Sequence, residues 1–236
     1  MLARAGTVAA RPAHGAHRVH PLILEPSAAS SQRWYRRLAP LYDLGCRPLY
    51  ARARRAGREA LRLQGGETVL DLCTGTGLNL PGLAAAVGTA GCVVGLDFSP
   101  AMLQRAERRR RNCPAPVELM RFDARSLDEE SWYARVPRRP DAILCSFGLA
   151  VAPDWEEVFA RSWDLLAPGG RYAIVDTQPI PRGWGRVANP LLVPFSNWAG
   201  HAEIRRPTAR VLAALPDFEQ RHFLGGFVHL SAATRV

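Results

Sequence analysis

Three aspartates and a glycine turn, spaced along an alternating pattern, are the residues of this chain best placed to do chemistry. The run Val69-Leu-Asp-Leu-Cys-Thr-Gly-Thr-Gly-Leu-Asn79 carries an apolar strand into a turn with Gly75 and Gly77, and Asp71 stands just ahead of it. Asp97 lies twenty residues beyond Gly77, at the end of the next apolar run, and Phe122-Asp123-Ala124 closes a third. Glycines at a strand-to-helix turn let the backbone approach a ligand closely. The free N–H groups of the helix beginning there favour a carboxylate. An acid at the end of the following strand can accept hydrogen bonds from ribose hydroxyls.

Two glycines alone would also suit a nicotinamide enzyme. The dinucleotide fingerprint G-x-G-x-x-G fails, because Leu80 stands where its third glycine belongs. Asp71 beside the turn is electrostatically favourable for a cationic ligand, such as a sulfonium bearing an ammonium group, and unfavourable for a pyrophosphate. Asp123, at the end of the third strand, can take an adenine amino group. The competing readings are an NAD(P)-dependent oxidoreductase of related fold and a non-catalytic cofactor-binding protein.

These residues need an alternating scaffold, and the pattern predicts one. Strands are expected at Thr68–Cys73, Cys92–Phe98, Val117–Phe122, Ala142–Phe147 and Arg171–Asp176, each apolar on both faces as covered parallel strands are. Helices are expected between them at Leu78–Val87, Ser99–Asn112, Ser126–Tyr133 and Asp154–Leu166. Ser99 is an N-cap candidate with Pro100 in its first turn, Ser126-Leu-Asp-Glu129 is capping-box-like, and Pro168-Gly-Gly170 ends the last helix. Five β-α units of this kind build a doubly wound parallel sheet. Residues 177–206 are rich in Pro, Gly, Trp and Asn and too long for an ordinary connection, as lids and binding insertions are. A helix at Thr208–Leu215 and a terminal hairpin, Phe218–Leu224 with Phe227–Ala232, complete the chain.

Length and composition fit one large α/β domain of 236 residues. The five cysteines, at 46, 73, 92, 113 and 145, include no C-x-x-C pair, which favours reduced thiols in a cytosolic setting over disulfides or a zinc site. All 31 basic residues are arginine, and residues 1–62 hold a net charge of +9 of the total +10. This asymmetry suits an anionic surface, membrane or nucleic acid, approached by one end of the molecule; a merely solvated face is the alternative. Residues 1–29 read as a disordered basic tail, or a transit peptide in a eukaryote. Residues 30–64 read as a helical extension, with Ala53, Ala56, Ala60 and Leu63 as an apolar stripe and Arg52, Arg54, Arg55, Arg58 and Arg62 around it. No apolar run approaches the ~20 residues of a membrane span.

Taken together, Val69–Gly77, Gly95-Leu-Asp-Phe-Ser-Pro-Ala-Met-Leu103 and Leu166-Ala-Pro-Gly-Gly-Arg-Tyr172 resemble the motifs of class I S-adenosylmethionine-dependent methyltransferases, over roughly residues 65–235. Cys73 departs from that pattern at its first glycine. The resemblance implies a Rossmann-like methyltransferase sheet of seven strands, the last antiparallel, preceded by an N-terminal helical extension. It implies S-adenosyl-L-methionine as cofactor. Asp71 and the Cys73-Thr74-Gly75-Thr76-Gly77 loop would hold its methionine end, Asp97 its ribose with Phe98 and Met102 beside it, and Asp123 and Ala124 its adenine. Ser146 would face the transferred methyl group.

Methyl transfer from a sulfonium is an in-line displacement that rests on alignment and exclusion of water. A base is needed only where the acceptor arrives protonated. Ser146-Phe-Gly-Leu149 replaces the Asn/Asp-Pro-Pro-Tyr/Phe stretch common in nucleobase methyltransferases, so no nucleic-acid partner is expected. Trp34-Tyr-Arg-Arg-Leu-Ala-Pro-Leu-Tyr-Asp43 resembles a stretch of the ubiquinone/menaquinone C-methyltransferases and the soluble phosphatidylethanolamine N-methyltransferases, which act on membrane-borne amphiphiles. The expected acceptor is therefore quinone-like or a phospholipid amine, with a soluble metabolite as alternative. Tyr42 and Asp43 are placed over the methyl group, and His201 is a candidate base. Trp184, Phe195 and Trp198 could wall the acceptor, and Arg205 and Arg206 could meet a phosphate. The arginine-rich extension is expected to touch an anionic membrane peripherally.

Overall fold

A computed structural model describes residues 48–200 and 202–236, with the side chains of 198–200 left aside. Tyr42, Asp43, His201, the Trp198 side chain and the proposed tail and extension up to residue 47 lie outside the described residues.

Seven strands form one sheet: β1 (Thr68–Leu72), β2 (Cys92–Asp97), β3 (Val117–Arg121), β4 (Ala142–Ser146), β5 (Arg171–Thr177), β6 (Glu219–Phe223) and β7 (Val228–Thr234), in the order β3-β2-β1-β4-β5-β7-β6. The first five are parallel, and β7 runs antiparallel between β5 and β6. The order reverses between β1 and β4, the switch point where open α/β sheets bind ligands at the carboxyl ends of their strands. Alternation along each strand feeds two cores. Val69, Leu144, Val175 and Leu230 face one layer, and Leu70, Ile143, Tyr172 and Ile174 face the other.

The helices are α1 (Ala51–Ala60), α2 (Leu80–Val87), α3 (Pro100–Arg110), α4 (Glu129–Tyr133), α5 (Trp155–Leu165) and α6 (Asn189–Gly200). The alanine stripe of α1 is buried against β4, β5 and β7, so this face is part of the core and is not open to a membrane. Gly57 makes that contact possible, because a Cβ there would lie 2.6 Å from Val175 Cγ2. Beyond α1, Arg171 donates to the Leu61 carbonyl at 2.8 Å and pairs with Glu67 at 2.6 Å, tying the helix end to the start of β5. Arg54, assigned above to the solvated side, is only 8% exposed.

Other expectations are corrected in detail. Helix α2 starts at Leu80, because residues 73–79 are a turn that serves the site. Ser99 sits at the N-cap without a side-chain cap bond; its own N–H donates to Asp97 instead. The segment 126–133 divides into a 3₁₀ turn, Ala124–Ser126, and α4, whose capping box is Asp128 with Ser131 rather than Ser126 with Glu129. The helix expected over 208–215 is a 3₁₀ turn, Thr208–Arg210, followed by turns. The insertion 177–206 is largely helical, with a 3₁₀ turn at Trp184–Ala188 running into α6 and Pro194 inside it. Among the described residues no helix is long and apolar enough to cross a membrane, and no cluster of three metal-ligating side chains forms.

Candidate active site

A cleft with about 1140 Å³ of empty space, counted out to its open mouth, lies over the carboxyl ends of β1, β2 and β4. Cys73, Thr74 and Gly75 from the turn after β1, Asp97, Phe98 and Met102 after β2, Asp123 and Ala124 after β3, and Ser146 after β4 all line it. With Thr76, which lines it too, ten of the twelve cofactor candidates thus meet in one place.

Asp71 and Gly77 stand behind this wall and shape it. Asp71 is 1% exposed; its Oδ2 accepts from Thr74 Oγ1 at 2.5 Å and its Oδ1 from Asn79 Nδ2 at 3.1 Å. Burial pushes its carboxyl up to about 6, while those two bonds favour the ionised form. The Asn79 amide also reaches Ser146 Oγ at 3.2 Å, which joins the ends of β1 and β4. Gly77 has φ +80, and a Cβ there would lie 3.0 Å from Ala106 Cα in α3, so the position admits only glycine without displacement. Cys73 adopts a left-handed φ of 56, the conformation that a glycine at this place takes without strain.

Asp97 organises the turn from the other side. Its Oδ2 accepts from the Gly75 N–H at 2.8 Å and its Oδ1 from the Ser99 N–H at 2.9 Å. Burial raises its carboxyl to about 6. Each oxygen retains a lone pair toward the cleft, enough for a ribose diol. Asp123 is more open. Arg125 donates to its Oδ2 at 2.7 Å, holds it below the usual carboxylate range, and reaches Asp154 at 3.3 Å. Leu96, Phe98, Met102 and Phe122 supply the apolar walls that a purine needs.

Sequence reasoning missed four residues here: Asn79, Arg125, Arg54 and Phe147. Arg54 and Phe147 line the cleft together, with the guanidinium carbon 4.7 Å from the ring centroid. Tyr50 packs against the same ring at 4.6 Å. Phe147 has φ 58, a left-handed conformation that costs free energy for a bulky residue and recurs at functional sites. Of the insertion's candidates, Trp184 is 94% exposed and Phe195 59% exposed, and neither lines the cleft. Arg206 donates to the Leu149 carbonyl at 2.8 Å and so braces the loop after β4.

Residues 69–170 match the family model for a methyltransferase domain. The chain carries a class I S-adenosylmethionine-dependent methyltransferase domain. A demethylmenaquinone methyltransferase of Oceanobacillus iheyensis is 35% identical over 127 residues, 52% of this chain and 50% of that protein. One of Listeria welshimeri is 31% identical over 163 residues, 66% of each chain. The aligned stretch thus spans about half to two thirds of these relatives. The fold is shared with an O-methyltransferase family protein of Burkholderia thailandensis, at TM-score 0.62 and 20% identity over 90% of this chain and 64% of that one. A SAM-dependent methyltransferase of Aquifex aeolicus superposes at TM-score 0.51 and 18% identity, covering 78% of this chain and 89% of that one. Within the methyltransferase domain, the geometry of Asp97, Asp123 and the apolar walls fits a nucleoside donor.

Proposed function

We propose that this protein methylates a membrane-borne, quinone-like acceptor with S-adenosyl-L-methionine as donor. The similarity to demethylmenaquinone methyltransferases, 31–35% identical over 163 and 127 residues, supports the acceptor class. The observation that carries the membrane-borne part is an apolar surface on the insertion. Trp184, Val187, Leu191 and Phe195 recur at steps of three and four and are 94%, 75%, 78% and 59% exposed. Helix α6 contains no charged side chain, and the exposed neighbours Arg182 and Arg186 precede it. Aromatic and aliphatic side chains beside arginines favour a bilayer interface with anionic headgroups. The surface arises directly after β5, on the same sheet edge as the cleft.

The donor supplies an electrophilic methyl group when bound. The residues of the chain then act by position: Asp97 and Asp123 hold the nucleoside, and Ser146 and Asn79 border the transfer point. In the transfer, a ring carbon of an ionised quinol would form the C–C bond as the donor's S–C bond breaks with its electron pair going to sulfur, and the ring proton would pass by way of water to the ring oxygen that began ionised, restoring the aromatic quinol.

The test is incubation with methyl-labelled donor and vesicles holding either demethylmenaquinol or phosphatidylethanolamine. Label in the quinone ring is expected. Label in the head group alone would move the acceptor to a phospholipid amine, and no label in any lipid would sink the proposal.

A further inference from the structure

The amino-acid end of the methyl donor is a zwitterion, and a cleft built for it needs a partner for the carboxylate. Asp71, buried behind the cleft wall, has its two oxygens bonded to Thr74 and Asn79. Among the described residues, the cleft lining contains two cations, Arg54 and Arg125. Arg125 is engaged by Asp123 and Asp154. Arg54 is different: it is 8% exposed, and its Nη1 is buried with no hydrogen-bond partner among the described residues. Its neighbour Arg58 already donates to Asn79 Oδ1 at 3.4 Å. An unpartnered guanidinium N–H costs the fold its desolvation. The stack on Phe147 offsets part of that cost without satisfying the N–H.

The position is also built rather than incidental. Arg54 lies one turn before Gly57, where α1 packs closely on β5, and Phe147 directly follows Ser146 at the end of β4. Arg54 is thus held in the cleft wall against the Phe147 ring, close enough for its charge to act on Asp71 below the glycine turn. We propose that Arg54 is the carboxylate anchor of the methyl donor, with its free Nη1 donating to the donor's α-carboxylate. The proposal rests on the donor assignment and not on any acceptor. A charge-assisted pair of this kind fixes the amino-acid end and, through it, the line along which the methyl group is presented.

The test is calorimetric titration of the full chain and its Arg54→Met variant with two nucleosides: S-adenosylhomocysteine, and its decarboxylated analogue, which keeps the amine. The variant is expected to bind S-adenosylhomocysteine about 10–100-fold more weakly, as loss of a charged hydrogen bond implies, and to bind the analogue as the native chain does. The native chain should itself prefer S-adenosylhomocysteine to the analogue by a similar factor. Arg54→Lys, which keeps the charge and loses the fork, should fall between; it serves equally if the methionine variant does not fold. Unchanged affinity of both variants for S-adenosylhomocysteine overturns the proposal and hands Arg54 to the acceptor. Equal losses on both nucleosides overturn it as well, because they mark a general disturbance of the cleft. A native chain that binds neither nucleoside overturns the donor assignment and the anchor with it.

Discussion

Asp97 should make donor affinity fall in mild acid, and its amide variant should weaken that dependence. The carboxyl is 7% exposed and is raised from 3.8 to about 6 by burial, with the Gly75 and Ser99 N–H groups favouring ionisation. A shift of about two units corresponds to roughly 3 kcal/mol between the two protonation states. The folded chain therefore binds more protons than the unfolded chain between about pH 4 and 6, and the contribution of Asp97 to stability declines as pH rises through that window. Donor binding has the opposite requirement, because two ribose hydroxyls donate to the ionised form. Binding should then release up to one proton near pH 6, and the affinity for S-adenosylhomocysteine should drop towards tenfold per pH unit below it.

The assay is isothermal titration from pH 5 to 8, in buffers of different ionisation enthalpy so that the released protons are counted. In Asp97→Asn one oxygen becomes an amide NH₂ that faces a backbone N–H, so one of the two bonds at 2.8 and 2.9 Å is lost along with the charge. That variant should bind about 10–100-fold more weakly at pH 7.5, following the ~1.5–3 kcal/mol of a charged hydrogen bond. It should also show a flatter pH profile. The remaining slope would belong to Asp71, raised to about 6. A native affinity that is constant from pH 7.5 to 5, or an amide variant with the native slope, would falsify the ribose assignment and its electrostatics.

Three further outcomes follow from packing. Gly57→Val forces a branched side chain where even a Cβ lies 2.6 Å from Val175 Cγ2; thermal denaturation should show a loss of about 1–3 kcal/mol, or roughly 2–10 °C. An unchanged midpoint would show that α1 can lift from the sheet at no cost. Cys73 holds φ 56, so Cys73→Gly should keep or raise the midpoint and Cys73→Val should lower it; the reverse order would refute the left-handed turn. Trp184→Ser with Leu191→Ser should leave stability within about 0.5 kcal/mol, since both are exposed, and should release the protein from phosphatidylglycerol-rich vesicles in a flotation assay. Retention on those vesicles would remove the insertion as the contact surface.

Much of this site is visible in the sequence because its residues are tied to strand ends. A strand apolar on both faces announces where it stops, and in a parallel sheet every such stop falls on one edge. Asp97, Asp123 and Ser146 could therefore be placed together before any coordinates. The insertion was less legible. Its Pro, Gly, Trp and Asn content reads as a lid or binding insertion, yet Pro190 occupies the first turn of α6, where a missing N–H costs nothing, and Pro194 lies inside the helix. The cap of α4 was misplaced because Ser126 and Glu129 have the right spacing, while Asp128 and Ser131 have the right geometry, with the Asp128 carboxylate accepting from the Ser131 N–H at 2.8 Å.

Arg54 was hidden for a different reason. The stripe of Ala53, Ala56, Ala60 and Leu63 leaves every arginine of α1 on the solvated side. The buried face is in fact wider and is centred on Gly57, with Tyr50, Ala53, Arg54, Ala60 and Leu61 around it. Gly57 has no side chain to bury, yet it marks a line of close approach to the sheet. Counted from Gly57, the residue three positions earlier must face the same layer. An arginine there is largely withdrawn from water, and the fold that keeps it must offer it a ring, an acid or a ligand. The ring is Phe147; its charge acts on Asp71, whose oxygens are bonded to Thr74 and Asn79, and Nη1 is left for the proposed carboxylate of the donor.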